Sequence, residues 1–574
     1  MFSGEVQDLG PDGEGAAAVA AGGVLLTLAS GQFLMTLDSS VMNVSIASVA
    51  EDIGTTVTGI QTAITLYALV MAAFMITGGK IGTIIGRRRA FSIGCVVYGA
   101  GSLTTSLAPN LAVLLLGWSL LEGLGAALIM PAIVGLVASN VAPAGRPRAY
   151  GLIASAGAIA VAAGPLIGGL VTTYASWRWV FAGEVLVVTA IVAFARRLGE
   201  EARVGPRPRL DLVGTVLSAL GLGLAVYGVL RSGEWGWIAP KPGAEAWLGL
   251  SPVLWLVLAG VGVLYLFTRW ELRVVERRDE PLVQPGMLRK PRLRGGLTMF
   301  FFQYLVQGGL FFVVPLFLSI VVGLSAAGTG VRLLPLSITL LLAALSIPKF
   351  RPHASPRRVV QGGLLALLAG IVALVAALEE GAGAEITTGP LLLAGFGVGA
   401  LASQLGSVTV SSVPEEESGE VGGLQNTGSN LGTSVGTALI GSILIATLSA
   451  SFLRGIGENP AVPEELSTQA SVEFASGIPF VADDDLEATL LASGVEADVA
   501  PAVVEENAEA RIVALRVSLS VLALTVLLAL FFTRGIPSIQ PGRRGCGDNH
   551  PPGMTAAAPA VTTIDAPATF APRR

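Results

Sequence analysis

The sequence predicts an all-α polytopic membrane protein of fourteen transmembrane helices with both termini in the cytoplasm, and three observations carry the prediction. Hydrophobic residues make up 52% of the 574 and charged residues only 13%, about half the charge of an ordinary soluble domain. The apolar residues gather in fourteen runs, at 20–45, 59–79, 90–107, 111–138, 149–172, 178–195, 211–230, 249–268, 296–322, 328–348, 359–378, 388–411, 421–453 and 512–533. Each approaches or exceeds the roughly 20 residues a helix needs to cross a bilayer. Basic residues alternate by loop: 28 Lys and Arg follow even-numbered runs or lie in the C-terminal tail, against five after odd-numbered runs. Positive loops stay inside, which places both tails in the cytoplasm. The acidic start, with no basic segment before the first run, reads as a retained helix and not a cleaved signal. Two cysteines, Cys95 and Cys546, exclude a disulfide framework and a cysteine metal site.

Two basic linkers, 196–209 and 269–294, set helices 7 and 8 apart from six helices on either side. The expected divisions are a cytoplasmic tail at 1–19, a six-helix domain at 20–198, and two linking helices at 199–294. A second six-helix domain follows at 295–533, including an acidic outer loop at 454–510, and then a disordered cytoplasmic tail rich in Pro and Ala at 534–574. The outer loop holds thirteen Asp or Glu, and 466–474 and 486–510 have helix-compatible patterns, as for a small hairpin over the outer mouth. Similar basic turns, GTIIGRRRAF at 82–91 and HASPRRVV at 353–360, suggest two related halves. Such repeats are common in secondary transporters, whose substrate and coupling sites lie near the midplane between them.

Helix 5 carries GAIAVAAGPLIGG at 157–169, with Gly157, Gly164, Gly168 and Gly169 beside Pro165. A stripe of small residues lets helix backbones approach in lipid, and a proline can kink the helix where neighbours satisfy the freed backbone.

Ionisable groups inside apolar runs are costly unless they face a cavity or a partner. Asp38 lies about two turns from the outer end of helix 1, on a face shared with Gly31, Met35, Met42 and Ser45. A carboxylate flanked by adaptable thioethers suits varied amphipathic cations. Glu122 sits near the middle of helix 4 with Ser119 and Ala126 on its face, and Glu184 lies close enough to the outer end of helix 6 for a water-exposed rim position. The three are candidates for proton coupling or cation binding, because a change in solvation as a cavity closes can make a carboxyl take or release a proton. Arg332 in helix 10 is a possible charge partner, though near enough to the outer end to snorkel, and Arg516 in helix 14 reads as an interfacial anchor. Met35, Met42 and Ser119 in the first half, with Gln303, Gln307 and Phe311 on helix 9 and Gln425 and Asn426 on helix 13 in the second, are candidate cavity residues.

With these residues in view, Gly79, Gly86, Arg87 and Arg88 resemble the loop motif of the major facilitator superfamily, and Gly157, Gly164, Pro165, Gly168 and Gly169 resemble its antiporter motif. The stretch LDSSVMNVSIASVAEDIG at 37–54 and WRWVF at 177–181 resemble the fourteen-helix drug:proton antiporter branch, the EmrB/QacA type. The resemblance spans about 20–533 and implies a 6 + 2 + 6 arrangement with a central cavity in the bacterial cytoplasmic membrane. It implies a proton-coupled exporter of small amphipathic compounds or drugs, driven by the proton gradient without a cofactor. Departures stand out at three places: Thr83 replaces an acidic residue of the loop motif, Ser119 an arginine and Glu122 a glutamine on helix 4, and Glu184 stands near a usual asparagine after WRWVF. The first implies a weaker latch between the halves.

Enzymatic function is not expected: there are two histidines, no phosphate-cradling loop and no nucleophile–base set at one depth. The expected partners are a small-molecule substrate, protons and the lipid bilayer, with no nucleic acid and no metal, in a monomer. Export of a lipid or specialised metabolite, or a degenerate transporter serving as sensor or scaffold, are the other readings the sequence admits.

Overall fold

The computed structural model describes residues 11–540 apart from 56, 144, 197–198, 200–208, 242, 380, 415–416, 464–479 and 494. The tail at 541–574 and the predicted helical stretch at 466–474 lie outside the described residues. Among the described residues there is no strand, only an isolated bridge between Trp247 and Leu250.

Among the described residues, fourteen long helices follow the fourteen apolar runs. They are α1 Pro11–Asp52, α2 Val57–Ile85, α3 Arg87–Ser106, α4 Leu111–Asn140, α5 Arg146–Tyr174, α6 Arg178–Ala195 and α7 Leu212–Leu230. The remainder are α8 Pro252–Glu276, α9 Pro291–Val321, α10 Ala326–Phe350, α11 Pro356–Ala377, α12 Thr388–Val410, α13 Ser418–Glu458 and α14 Ala500–Phe532. Thirteen are long and apolar enough to cross a membrane. The other, α3, is rich in Gly, Ser and Thr, and its Ser102, Thr105 and Ser106 are buried inside the bundle. Helix α14 starts at Ala500 and not at 512, because Val503 and Ala510 are buried in the core of the last six helices and hold about three extra outer turns. The helix expected over 486–510 is broken: Asp483–Ala492 forms a separate short helix. Arg511, 1% exposed, ties that helix down by donating to the Val481 carbonyl at 2.7 Å and pairing with Asp483.

Packing between helices relies on glycine where backbones meet. A side chain at Gly164 of α5 would strike Ser40 of α1, and one at Gly168 would stand 2.9 Å from Val41. Gly157, by contrast, has ordinary clearance to Gln32 and Thr36. Gly169 is half-buried in the same helix, and the backbone of Pro165 lies within it. At the turn between α2 and α3, Gly86 adopts φ 101°, a conformation that only glycine takes without strain.

The first six and last six helices meet through α2 and α4 on α13, and through α5 on α10 and α12. At the cytoplasmic ends this contact is close: a side chain at Gly79 would stand 2.6 Å from the Gly419 carbonyl, and one at Gly151 would stand 2.9 Å from Ala344. There Lys80 and Glu420 form a buried ion pair at 2.9 Å, their side chains 6% and 4% exposed. Thr83 bonds its own helix, to the Gly79 carbonyl at 3.2 Å, and the ion pair across the contact comes from Lys80, one turn earlier. Arg87 lies over Gly135 of α4 and donates to its carbonyl at 3.3 Å, while Arg88 follows it in the first turn of α3. The chain between α8 and α9 crosses the same region. Leu282, Val283 and Met287 are buried with the core of the first six helices, and the Gln284 N–H reaches the second oxygen of Glu420 at 3.5 Å.

Helices α7 and α8 pack on each other through Gly221 and Gly260, and α7 lies against α2. Their outer loop reaches the last six helices, where Trp237 donates to Ser442 of α13 at 3.1 Å.

Two stability measurements follow. Removing one partner of a buried ion pair leaves the other uncompensated, so Lys80→Met is expected to destabilise the purified protein by about 3–5 kcal/mol, and Lys80→Met with Glu420→Leu to recover most of that loss in a denaturant double-mutant cycle. Gly86→Ala is expected to cost about 1–3 kcal/mol, while Gly82→Ala, whose side chain would meet only Ala90 at 3.8 Å, changes stability by less than about 0.5 kcal/mol.

Candidate functional site

Three buried carboxyl groups stand together in the outer half of the first six helices. Asp38 of α1, Glu122 of α4 and Glu184 of α6 are 0%, 0% and 2% exposed, and one oxygen from each lies within 4.8 Å of the others. The local winding of α4 helps bring them together. Asn110 caps the helix by accepting from the Val113 N–H at 3.1 Å, and Leu115–Glu122 then runs as a π-helix. A π-turn inserts an extra residue and re-aims side chains, which is why such turns recur at functional sites. Trp118, Ser119 and Glu122 all project from it. Glycines bring α3 alongside: a side chain at Gly101 would stand 2.6 Å from Glu122 Cγ and 2.7 Å from the Gly117 carbonyl.

The carboxyls are held by neutral donors. Trp118 Nε1 donates to both oxygens of Asp38 at 2.9 Å. Thr105 donates to Glu122 at 3.3 Å and Ser102 to Glu184 at 3.1 Å. The second oxygens of Glu122 and Glu184 have no hydrogen-bond partner. No salt bridge among the described residues involves any of the three. The trio is also the one group of metal-ligating side chains that the described residues bring within such reach, an all-oxygen donor set. The rim position expected for Glu184 is corrected: packing of α6 against α3 turns its carboxyl inward to Ser102.

A cavity of about 600 Å³ lies between the halves beside this cluster, lined from α1, α2, α4, α5, α9 and α13. A smaller pocket of about 140 Å³ adjoins it and shares Gln32, Thr36, Val161, Tyr304, Gln307, Asn426 and Ser429. Of the candidate lining residues, Met35, Gln307, Phe311 and Asn426 line the larger cavity. Gln303 and Gln425 line the smaller pocket, as do Gly157 and Phe300. Gln425 also donates to Thr409 of α12, and Asn426 to the Gly422 carbonyl at 2.9 Å.

Met42 and Ser119 line neither. Met42 is fully buried in a core cluster with Tyr67, Leu114 and Trp118, and Ser119 donates to the Ala63 carbonyl of α2 at 2.8 Å, fastening two helices. The face of α1 read from helical spacing is divided among neighbours: Gly31 abuts Phe91, Met35 faces the cavity, and Ser45 bonds Thr172 of α5 at 2.9 Å. Arg332 is half-buried and pairs with no carboxylate among the described residues. Arg516 anchors by donating to the Leu378 carbonyl at the end of α11, through Nε at 2.8 Å.

Sequence reasoning passed over Tyr67, Trp118, Lys80 and Glu420. Trp118 was legible as a large side chain with a polar N–H one residue from Ser119. Glu420 stood just outside an apolar run, and no local signal tied it to Lys80, 340 residues away. In the outer turn, Arg178 of the WRWVF stretch pairs with Asp52 of the first-helix stretch at 2.7 Å, and Trp177 donates to the same carboxylate at 3.0 Å.

Comparisons with known proteins agree with this architecture. The chain is 30% identical over 469 residues to the puromycin resistance protein of Streptomyces alboniger, covering 79% of this chain and 88% of that one. It is 29% identical over 455 residues to a probable actinorhodin transporter of Streptomyces coelicolor, covering 77% and 76%, and 27% identical over 436 residues to a multidrug resistance protein of Mycobacterium tuberculosis, covering 74% and 77%. Among solved structures, the human organic anion transporter MFSD10 superposes with a TM-score of 0.54 at 13% identity, over 90% of this chain and 98% of that one, a likeness of fold alone. The family model of the Major Facilitator Superfamily matches residues 28–437, and the chain belongs to that superfamily.

Proposed function

We propose that the chain is a secondary active transporter that exports small amphipathic organic compounds across the bacterial cytoplasmic membrane in exchange for protons. The observation that carries this reading is the cluster of Asp38, Glu122 and Glu184, buried without a cation beside a cavity between the two halves. Keeping three acids in a membrane-embedded bundle is costly, and such groups mark proton and ion pathways. The relatives named for resistance and transport support the outward direction and the substrate class.

In this reading the first six and last six helices are two domains, joined by α7 and α8, that rock about the central cavity. The cytoplasmic contact at Gly79, Gly419, Lys80 and Glu420 opens to admit substrate and closes to release it outward. The carboxyl cluster takes protons from the outer side and gives them up during the return, with Ser102, Thr105 and Trp118 holding the emptied oxygens by hydrogen bonds. A scaffold or sensor has no need of three such groups at one place.

The test is substrate-evoked dissipation of a preset pH gradient in inverted vesicles, followed with a fluorescent pH probe. Wild-type protein is expected to give the signal with lipophilic amphiphiles in the presence of a chelator. Asp38→Asn and Glu122→Gln are expected to reduce it by about tenfold or more, the loss expected when a group essential to a proton-transfer step is removed. A full-sized signal from both variants would sink the assignment of coupling to this cluster.

A further inference from the structure

The walls of the cavity carry no charge. Among the described residues, the lining of both its larger and smaller parts consists of amides, hydroxyls, thioethers, aromatic rings and aliphatic groups, without an Asp, Glu, Lys or Arg. The carboxyls stand behind that wall. Met35 and Ser39 of α1 line the cavity, while Asp38, beside Ser39 in sequence, is wholly buried and takes no part in the lining. A cation in this cavity would leave water for a surface with nothing to neutralise it, and burying an unpaired charge is far costlier than burying a neutral polar group.

One chain of contacts joins the two compartments. Tyr67 of α2 lines the cavity, its ring stacks on that of Trp118 at 5.1 Å with planes 2° apart, and Trp118 Nε1 donates to both oxygens of Asp38. Tyr67 lines the cavity and Gln303 its inner pocket, and the Tyr67 hydroxyl and the Gln303 side-chain oxygen are buried without a hydrogen-bond partner. Buried polar groups are normally satisfied, and these two offer a donor and an acceptor to a molecule lying between them. Tyr67, Tyr304 and Phe311 give that molecule aromatic faces.

We infer that the transported molecule is an uncharged aromatic amphiphile with hydrogen-bonding substituents, and that the Tyr67–Trp118 stack transmits its presence to the carboxyl cluster without any contact between substrate and carboxylate. The inference rests on the exporter reading and replaces the expectation of a cation gripped by Asp38. Among the described residues, the ionisable side chains facing the stack and Asp38 are Glu122 of α4, Glu184 of α6 and Tyr98 of α3, and none is a cation.

The test uses the full chain, purified for direct fluorescence binding and reconstituted for proton flux, with anthracenemethanol and hydroxyflavone as neutral probes beside their trimethylammonium analogues. The neutral probes are expected to bind about tenfold or more tightly than the cations and to evoke proton flux. In Asp38→Asn their Kd is expected to stay within about threefold of wild type while the flux is lost. Trp118→Phe keeps the stacked ring and removes the N–H: binding is expected to persist and flux to fall by about tenfold, with Trp118→His, which retains a ring N–H, restoring part of it. If Trp118→Phe does not fold, Tyr67→Leu, which breaks the stack and leaves the indole on Asp38, is expected to lose flux by a larger factor than binding.

Tighter binding of the cations, abolished in Asp38→Asn, would overturn the substrate class while leaving the exporter reading intact. Undiminished flux in Trp118→Phe or Tyr67→Leu would overturn the role of the stack. Binding of neutral probes with no proton flux in wild-type protein would instead overturn the exporter reading and keep the substrate class.

Discussion

Three carboxyl groups held out of water without a cation impose the strongest constraint on the first six helices, because inside a bilayer a charge or an unpaired polar atom finds no solvent to relieve it. The surrounding structure answers that constraint residue by residue. The π-turn of α4 presents Trp118 and Glu122 together, glycines at 101 and 117 let α3 come close enough to lend hydroxyls, and the indole of Trp118 covers both oxygens of Asp38. In a low-dielectric interior each of these bonds is stronger than in water, and each orphan more costly. The unpartnered oxygens of Glu122 and Glu184 are the places where that constraint is left unanswered.

The fold was legible because its signals are local. Apolar runs mark each span, basic loops orient them, and the small-residue pattern of 157–169 predicts the approach of α5 to another helix, which proves to be α1. Asp38 and Glu122 were legible as costly ions in apolar sequence. Glu184 was misplaced because distance along a helix measures depth, whereas its burial depends on the packing of α6 against α3. Met35 and Met42, one heptad apart, share an ideal helical face, yet one meets the cavity and the other a packed core, since α1 touches different neighbours along its length. The π-turn left no mark in the pattern of hydrophobic residues, and the pairing of Lys80 with Glu420 joins distant segments that only the tertiary fold brings together.

The contact between the halves shows how a lost motif residue is accommodated. With Thr83 in place of an acid, the cytoplasmic end of α2 still meets α13 through an ion pair, because Lys80 lies one turn nearer the membrane and Gly79 lets the backbones close upon each other. Burial makes that pair sensitive to the removal of either partner, whereas an exposed pair would contribute little.

The strand of chain between α8 and α9 gives α7 and α8 a mechanical meaning. It sinks Leu282, Val283 and Met287 into the core of the first six helices, sets a backbone N–H on Glu420, and places Lys290 3.9 Å from Glu417. Drawing α13 away from α2 must therefore strain this stay as well as part Lys80 from Glu420. The contact between the first six and last six helices is thus shared with the chain that leads out of α8, which fastens that pair of helices across the joint.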